Sequence, residues 1–157
     1  MDTCINTIKE TRKLFMQLID GLSIEDINMI PSGFNNNIIW NFGHVIVSQQ
    51  ILCYKLAGLP LKIDPSYALK YSKGTKPEIF IDANELEFLK EQSLSLIDEL
   101  VVDMEHNLFA NFTLYQTSFN VPLTNVADAV KYLTMDEGLH FGYAMALNKV
   151  IKNQVQS

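Results

Sequence analysis

The chain has 157 residues, a formal net charge of −6 at pH 7 and 48% hydrophobic residues. This length and apolar content predict a single domain, residues 1–157, that buries a sizeable core. The acidic charge argues against a protein that binds nucleic acid or an anionic membrane, because both require a basic surface.

Sorting and redox features favour a cytoplasmic protein. Residues 1–13 contain five charged side chains and lack the uncharged apolar stretch of a secretory signal. No run of about 18 apolar residues predicts a membrane span. Cys4 and Cys53 form no CxxC pattern, so we expect both to be reduced thiols.

Apolar residues at helical spacing predict four long helices, beginning with residues 2–20. Ser23 precedes an Ile-Glu-Asp sequence and is expected to cap a short helical turn that ends near Pro31. This pattern of amphipathic helices, with no internal repeat, predicts the all-α class and a bundle architecture.

The second predicted helix, about 37–57, is unusual because residues 27–54 contain no Asp, Glu, Lys or Arg. Gly58 is expected to end it. A helix that is apolar nearly all round is buried on most sides. We therefore expect one face to lie in the core and another to be shared between a functional site and a partner subunit.

Residues 58–81 contain several proline and glycine residues, including Pro65, and are expected to form an irregular connection. This length suits a crossover along a bundle better than a tight helical hairpin. Asp82 then caps a third helix that is predicted to end near residue 105. Lys70, Lys73 and Lys76 lie in or beside the crossover and could steer an anionic substrate.

The segment 108–117 is ambiguous between a final helical turn and a short extended segment, although its aromatic residues are expected to pack on the core. Pro122 and Thr124 are predicted to open a fourth helix that ends near Asn153. Its apolar stripe comprises Val126, Val130, Leu133, Ala144, Leu147 and Ile151.

Three ionisable residues, Asp136, Glu137 and His140, fall within that apolar stripe. The i, i+4 spacing places Asp136 and His140 on one face of the helix. Buried ionisable groups cost free energy unless they are paired, hydrogen-bonded or bound to a metal. This stretch of the fourth helix is therefore the candidate functional site.

Histidines on two helices complete the candidate site. His44 lies on the buried second helix, whereas His106 lies at the end of the third helix and is expected to be exposed and non-catalytic. Together, His44, Asp136 and His140 offer two imidazoles and a carboxylate, which suffice to hold a divalent metal with open positions for water or substrate. Zn, Ni and Fe all accept these ligands.

Three segments, taken in order, resemble the DinB/YfiT-like superfamily. Residues 37–45 (Asn-Ile-Ile-Trp-Asn-Phe-Gly-His-Val), followed by Leu-Ala-Gly at 56–58, are similar to its second-helix signature. Residues 73–77 (Lys-Gly-Thr-Lys-Pro) resemble a loop motif of one branch. Residues 136–143 (Asp-Glu-Gly-Leu-His-Phe-Gly-Tyr) resemble its fourth-helix metal motif.

The resemblance implies a four-helix bundle with a long crossover between helices 2 and 3, and it implies that dimers are common. It also implies a metal centre of three histidines, of which His44 and His140 match two. Asp136 stands where the third histidine is expected. Characterised relatives are metal-dependent transferases that act on small thiols, and some are hydrolase-like.

Two functions follow from the position of Asp136. If Asp136 binds the metal, we expect a metal-dependent transferase or hydrolase of thiol-type substrates. Glu137 is then expected to act as a general base, to orient one of the ligands or to serve as a substitute ligand. If Asp136 pairs with a histidine instead, we expect a metal-free, non-catalytic homodimer that binds a small ligand or partner.

Overall fold

A computed structural model of the protein describes the backbone of residues 1–155 and the side chains of residues 1–154. It confirms the all-α class, with one small antiparallel hairpin. The elements are α1 Asp2–Asp20, α2 Ile24–Asn28, α3 Ile38–Gln49, α4 Pro65–Tyr71, α5 Ala83–Glu105, β1 Tyr115–Gln116, β2 Pro122–Leu123 and α6 Val126–Val155. No helix within the described residues is long and apolar enough to cross a membrane.

The four long helices bury apolar side chains at their contacts, in two clusters. α1 and α3 each contact both α5 and α6. Near the candidate site the core is aromatic: the ring of Phe15 lies 5.2 Å from that of Phe42 and 5.5 Å from that of Phe141. These contacts fix α6 against α1 and α3.

The charge-free second helix behaves as predicted along its length. After α3, the chain continues through a π-helical turn at Gln50–Tyr54 and a 3-10 turn at Lys55–Ala57. Gly58, with a positive φ of 71°, ends the run. Residues 37–47 are all buried by this single chain, so the absence of charge there does not require a partner subunit.

Residues 58–81, predicted to form an irregular connection, contain a helix that the sequence prediction missed. Pro65 was expected to interrupt regular structure, but it occupies the first turn of α4. A proline is favourable there because the first helical N–H groups have no partner within the helix. The Asp64 carboxylate caps this helix by accepting a hydrogen bond from Ser66 N at 2.8 Å.

The fourth helix was predicted to start too early. Pro122 lies in β2, and α6 begins at Val126. Asn125 caps the helix, because its side-chain oxygen accepts from Asp128 N at 2.9 Å. The Asp128 carboxylate accepts in return from Thr124 N at 3.2 Å. Pro122–Leu123 precede the helix and pair with Tyr115–Gln116 as an antiparallel hairpin.

Candidate metal centre

α3 and α6 bring together the three ligands that the sequence predicts. One donor atom from each of His44, Asp136 and His140 lies within 4.8 Å of the others. The two imidazole rings are 4.4 Å apart between centroids. Metal–ligand bonds of about 2.0–2.2 Å place tetrahedral donors about 3.4 Å apart. Small side-chain movements therefore suffice for this donor set to hold a divalent cation.

Each imidazole has its tautomer fixed by an acceptor at Nδ1. His44 Nδ1 lies 2.7 Å from the carbonyl oxygen of Tyr71, which can only accept. His140 Nδ1 lies 2.8 Å from Asn41 Oδ1, and the amide nitrogen of Asn41 is oriented by Asn37 O at 2.7 Å. Both Nδ1 atoms therefore carry the hydrogen, and each Nε2 keeps a lone pair. Metal-binding histidines are generally oriented in this way.

Burial keeps both imidazoles neutral, the form that binds a metal. Burial, with a smaller contribution from the neighbouring His44, lowers the pKa of His140 to about 4. Burial also lowers the pKa of His44. The pKa of Asp136 is raised by burial, against a smaller opposing effect of His44. A bound cation would favour the ionised carboxylate.

Packing around His44 sets the position of its ring. The indole of Trp40 stacks on the imidazole at 4.8 Å with an angle of 16°. Behind His44, the Tyr71 ring approaches α3 so closely that a Cβ at Gly43 would lie 2.5 Å from it. Glycine at position 43 therefore allows Tyr71 to place its carbonyl oxygen at the imidazole.

Ser48, one turn after His44, offers an internal partner for the free imidazole nitrogen. Its Oγ lies 3.1 Å from His44 Nε2. Because Nδ1 of His44 carries the hydrogen, the hydroxyl donates this bond. His140 Nε2 likewise lies 3.9 Å from Asp136 Oδ1. The three ligand side chains thus have polar neighbours within the protein.

The three candidate ligands line an open cavity of about 310 Å³, called the metal cavity below. Other walls come from Trp40, from Lys73 and from the β1–β2 hairpin. Five hydroxyl-bearing side chains line it: Ser48, Tyr115, Thr117, Ser118 and Tyr132. The cavity is therefore of small-molecule size and offers hydrogen-bond donors beside the ligands.

Glu137 does not join the cluster. Its side chain is fully buried, and its carboxylate pairs with the buried guanidinium of Arg12 at 2.7 Å. It therefore lies on the core side of α6 and does not line the cavity. The roles of Glu137 as a base or ligand stay predictions. In the structure its carboxylate is paired with Arg12.

The other predicted site residues are dispersed. Lys70 pairs with Glu85, Lys73 lines the metal cavity, and Lys76 lines a neighbouring one. His106 is exposed at the end of α5, as predicted. Cys4 and Cys53 are unpaired thiols.

The sequence contained a signal for Arg12 that was overlooked. Buried residues of α1 recur at three- and four-residue steps: Ile5, Ile8, Arg12, Phe15 and Ile19. An arginine on such a stripe predicts a buried cation that needs an anionic partner. Ser48 was also detectable, since it lies at i+4 from His44. Asn41 and Tyr71 act through contacts that no local spacing indicates.

Comparison with known proteins agrees with the resemblance noted from the motifs. The family model described as the DinB superfamily matches residues 7–144. No curated protein matches the chain. The matched span includes all three candidate ligands, the whole of α3 and residues 126–144 of α6. The chain belongs to the DinB superfamily.

Proposed function

We propose that this protein is a divalent-metal-dependent enzyme that holds Zn, Ni or Fe with His44, Asp136 and His140. One observation carries the proposal most directly. Both histidines have Nδ1 hydrogen-bonded to a fixed acceptor, which leaves both Nε2 atoms to meet the Asp136 carboxylate. Two neutral imidazoles and one carboxylate form a recognised donor set for such metals.

We further propose that the enzyme activates a small nucleophile. With a thiol the reaction is a transfer to that thiol, and with water it is a hydrolysis. A bound divalent metal lowers the pKa of such a nucleophile and so provides an anion at neutral pH. The chain itself positions the components: Asn41 and Tyr71 orient the imidazoles, and Trp40 covers one face of His44. Lys73 supplies a cation at the cavity wall for an anionic substrate.

The hydroxyls in the cavity suit substrate binding. Tyr132 lies one turn before Asp136 on α6 and lines the same cavity. Burial raises the pKa of its phenol, and Asp136 raises it further, so the phenol keeps its proton at neutral pH. It can therefore donate a hydrogen bond to a substrate oxygen or to a departing group.

Metal titration tests the proposal. Untagged protein, stripped with EDTA, should bind about one Zn or Ni ion per chain in calorimetry. His44→Ala and Asp136→Ala should each abolish tight binding while retaining helical circular dichroism. Small thiols such as cysteine should then react with a chromogenic electrophile faster in the presence of the metal-loaded protein than with either variant. Absence of stoichiometric binding by the wild type would overturn the proposal.

A metal-free function is the second candidate, and Ser48 favours it. Its hydroxyl already donates to His44 Nε2 at 3.1 Å, and Asp136 lies near His140. His44 Nε2 thereby has a partner within the protein, as in a bundle that binds a small ligand without chemistry. Under this alternative, Ser48→Ala removes the hydrogen bond to His44 Nε2 and destabilises the protein. Under metal binding, the same substitution frees the lone pair of His44 Nε2, so the metal affinity does not fall.

We infer that α1, α3, α5 and α6 form a four-helix bundle in which residues 58–82 cross from the second to the third long helix. What supports this is a closed series of contacts, α1 with α6, α6 with α3, α3 with α5, and α5 with α1. The short helix α4 packs on α3 within the crossover.

We also infer a homodimer, which the superfamily resemblance implies. The outward face of α6 supports it, because Met135, Leu139 and Met145 are 42%, 50% and 49% exposed. Light scattering on the purified protein tests this directly. A mass near 36 kDa (about twice the 17.8 kDa chain) is expected, and a Met145→Glu variant should shift the protein towards the monomer.

A further inference from the structure

A second cavity of about 410 Å³ adjoins the metal cavity. Its walls come from the start of α3, from α4 and from the segment that follows α4. The two cavities share Trp40 and Gly74 as wall residues. Its volume lies in the range of small-molecule sites, about 300–1,000 Å³. The indole of Trp40 thus forms part of the wall of both cavities, and His44 is stacked on it in the metal cavity.

Polar groups in the walls of the second cavity are largely engaged with the protein. The Asn37 side chain caps α3 by accepting from Trp40 N at 2.9 Å. The Tyr71 hydroxyl donates to Glu85 at 2.6 Å, and the Lys70 ammonium donates to the same carboxylate. Lys76 and Glu78 also line this cavity, and both are exposed to solvent. The rest of its wall is largely apolar, so it favours an apolar guest.

Apolar side chains stand in water at the mouth of this cavity. Leu69 on α4 is 80% exposed, and Ile79 is 62% exposed. Both line the cavity. Burying apolar surface is favourable by about 25 cal/mol of free energy for each Å² removed from water. A ligand that occupies the cavity covers them.

We propose that the second cavity binds the apolar tail of the substrate whose reactive head enters the metal cavity. The substrate class is then an amphiphile: an anionic or nucleophile-accepting head joined to an alkyl or aromatic tail. The tail lies against Trp40, Leu69 and Ile79, and the head lies near Lys73 and the His44 cluster. The assignment of the head rests on the proposed function, whereas the tail site rests on the cavity walls.

Trp40 is the only tryptophan in the chain, so its fluorescence reports binding in either cavity. The probes are sodium butanoate, hexanoate, octanoate and decanoate, each kept below its micelle concentration and titrated into EDTA-treated protein. Affinity is expected to rise by about three- to fourfold for each added methylene, as for transfer of a chain from water into an apolar site. Affinity that is independent of chain length overturns the proposal.

A matched pair of substitutions locates the tail. Ile79→Asp places a carboxylate on the cavity wall, whereas Phe80→Asp places the same charge on the adjacent residue, which is 60% exposed and does not line the cavity. Ile79→Asp should weaken decanoate binding at least tenfold and change butanoate binding little. Phe80→Asp should leave both nearly unchanged. Equal effects of the two variants on decanoate overturn the proposal.

This experiment separates the tail site from the proposed metal chemistry. A chain-length dependence in protein that binds no metal would support the tail site and refute the metal function. Stoichiometric metal binding without any chain-length dependence would refute the tail site and leave the metal function standing.

Discussion

The Arg12 guanidinium and the Glu137 carboxylate form an ion pair at 2.7 Å between α1 and α6, and both side chains are fully buried. The same guanidinium donates to Val45 O on α3 at 3.1 Å and to Ser93 O on α5 at 2.6 Å. One cation therefore joins all four long helices at a single level of the core.

The location of this pair relates the core to the candidate site. Val45 follows His44 in the chain, and Glu137 follows Asp136. Arg12 thus contacts the residue next to a candidate ligand on each of the two helices that build the centre. Its hydrogen bonds set the spacing of α3 and α6 from the core side, while the ligands face the cavity.

Removing one partner of this pair should be strongly destabilising. Arg12→Met leaves the Glu137 carboxylate buried without its cation, which typically costs about 3–5 kcal/mol. Urea denaturation measures the change in the free energy of unfolding. The Arg12→Met/Glu137→Met double variant should cost less than the sum of the two single variants, because no uncompensated charge remains.

Lys13 provides the control for that prediction. It pairs with Glu10 on the same helix, but the two side chains are 49% and 67% exposed. Lys13→Met should therefore cost less than about 1 kcal/mol. A loss for Arg12→Met no greater than that for Lys13→Met would show that the buried pair contributes little.

Two helical glycines should respond in opposite ways to alanine. At Gly43 a new Cβ would lie 2.5 Å from the Tyr71 ring, so Gly43→Ala should displace that ring and destabilise the protein by about 1–3 kcal/mol. At Gly142 nothing lies within 4 Å of the new Cβ. Gly142→Ala should stabilise the protein by about 0.5–1 kcal/mol through helix propensity.

Thermal unfolding of the two alanine variants checks this contrast. The melting temperature should fall for Gly43→Ala and rise for Gly142→Ala. Metal affinity should also fall for Gly43→Ala alone, because the carbonyl of Tyr71 orients His44. If both variants shift the melting temperature in the same direction, the close approach of Tyr71 to α3 is not significant in solution.

The sequence was sufficient to predict elements whose signals are local. Ser23 forms the expected cap with Asp26, and Asp82 caps α5 by accepting from Glu85 N at 2.9 Å. By contrast, α4 was missed because Pro65 was interpreted as a breaker although it suits a helix start. Of the hairpin, only an extended segment within 108–117 was offered, as one of two alternatives. Its pairing with residues 122–123 was not predicted, because strands of two residues have no period to detect.

In the candidate site, too, the residues with local sequence signals were predictable and the others were not. His44, Asp136 and His140 were identifiable because polar residues interrupt apolar helical stripes. The acceptors that orient the imidazoles were not identifiable. Tyr71 O belongs to the backbone, and Asn41 lies 99 positions from His140. Such partners depend on how α3, α4 and α6 meet.

His140 should make the stability of metal-free protein depend on pH. Its pKa is about 4 in the folded state and 6.5 in the reference state, so between these values the unfolded chain binds a proton that the folded chain does not. Stability is therefore fully present above about pH 6.5 and is lost as the pH falls towards about 4, by up to about 3 kcal/mol. The lowered pKa of His44 acts in the same direction, and the raised pKa of Asp136 acts in the opposite direction.

His140→Gln isolates this contribution. Unfolding free energies of EDTA-treated protein, measured between about pH 7 and about pH 5, should decrease on acidification more steeply for the wild type than for His140→Gln. Identical slopes would mean that His140 titrates in the folded protein near its ordinary pKa.

Removing the acceptor of His140 should weaken the metal centre without removing a ligand. Asn41→Leu deprives His140 Nδ1–H of its partner at 2.8 Å. Loss of such an orienting hydrogen bond typically costs about 10–100-fold in metal affinity. Calorimetric titration of Zn into wild type and variant measures the change. Ser66→Ala, which alters the exposed start of α4, is a distant control that should bind Zn as the wild type does.

The central claim is that His44, Asp136 and His140 together hold a divalent metal. Anomalous diffraction from crystals of untagged protein, collected above and below the absorption edges of Zn, Ni and Fe, tests it most directly. One strong anomalous peak is expected within bonding distance of both Nε2 atoms and of an Asp136 oxygen. Crystals grown with excess metal that show no peak there, with the Ser48 hydroxyl still bonded to His44 Nε2, would contradict it.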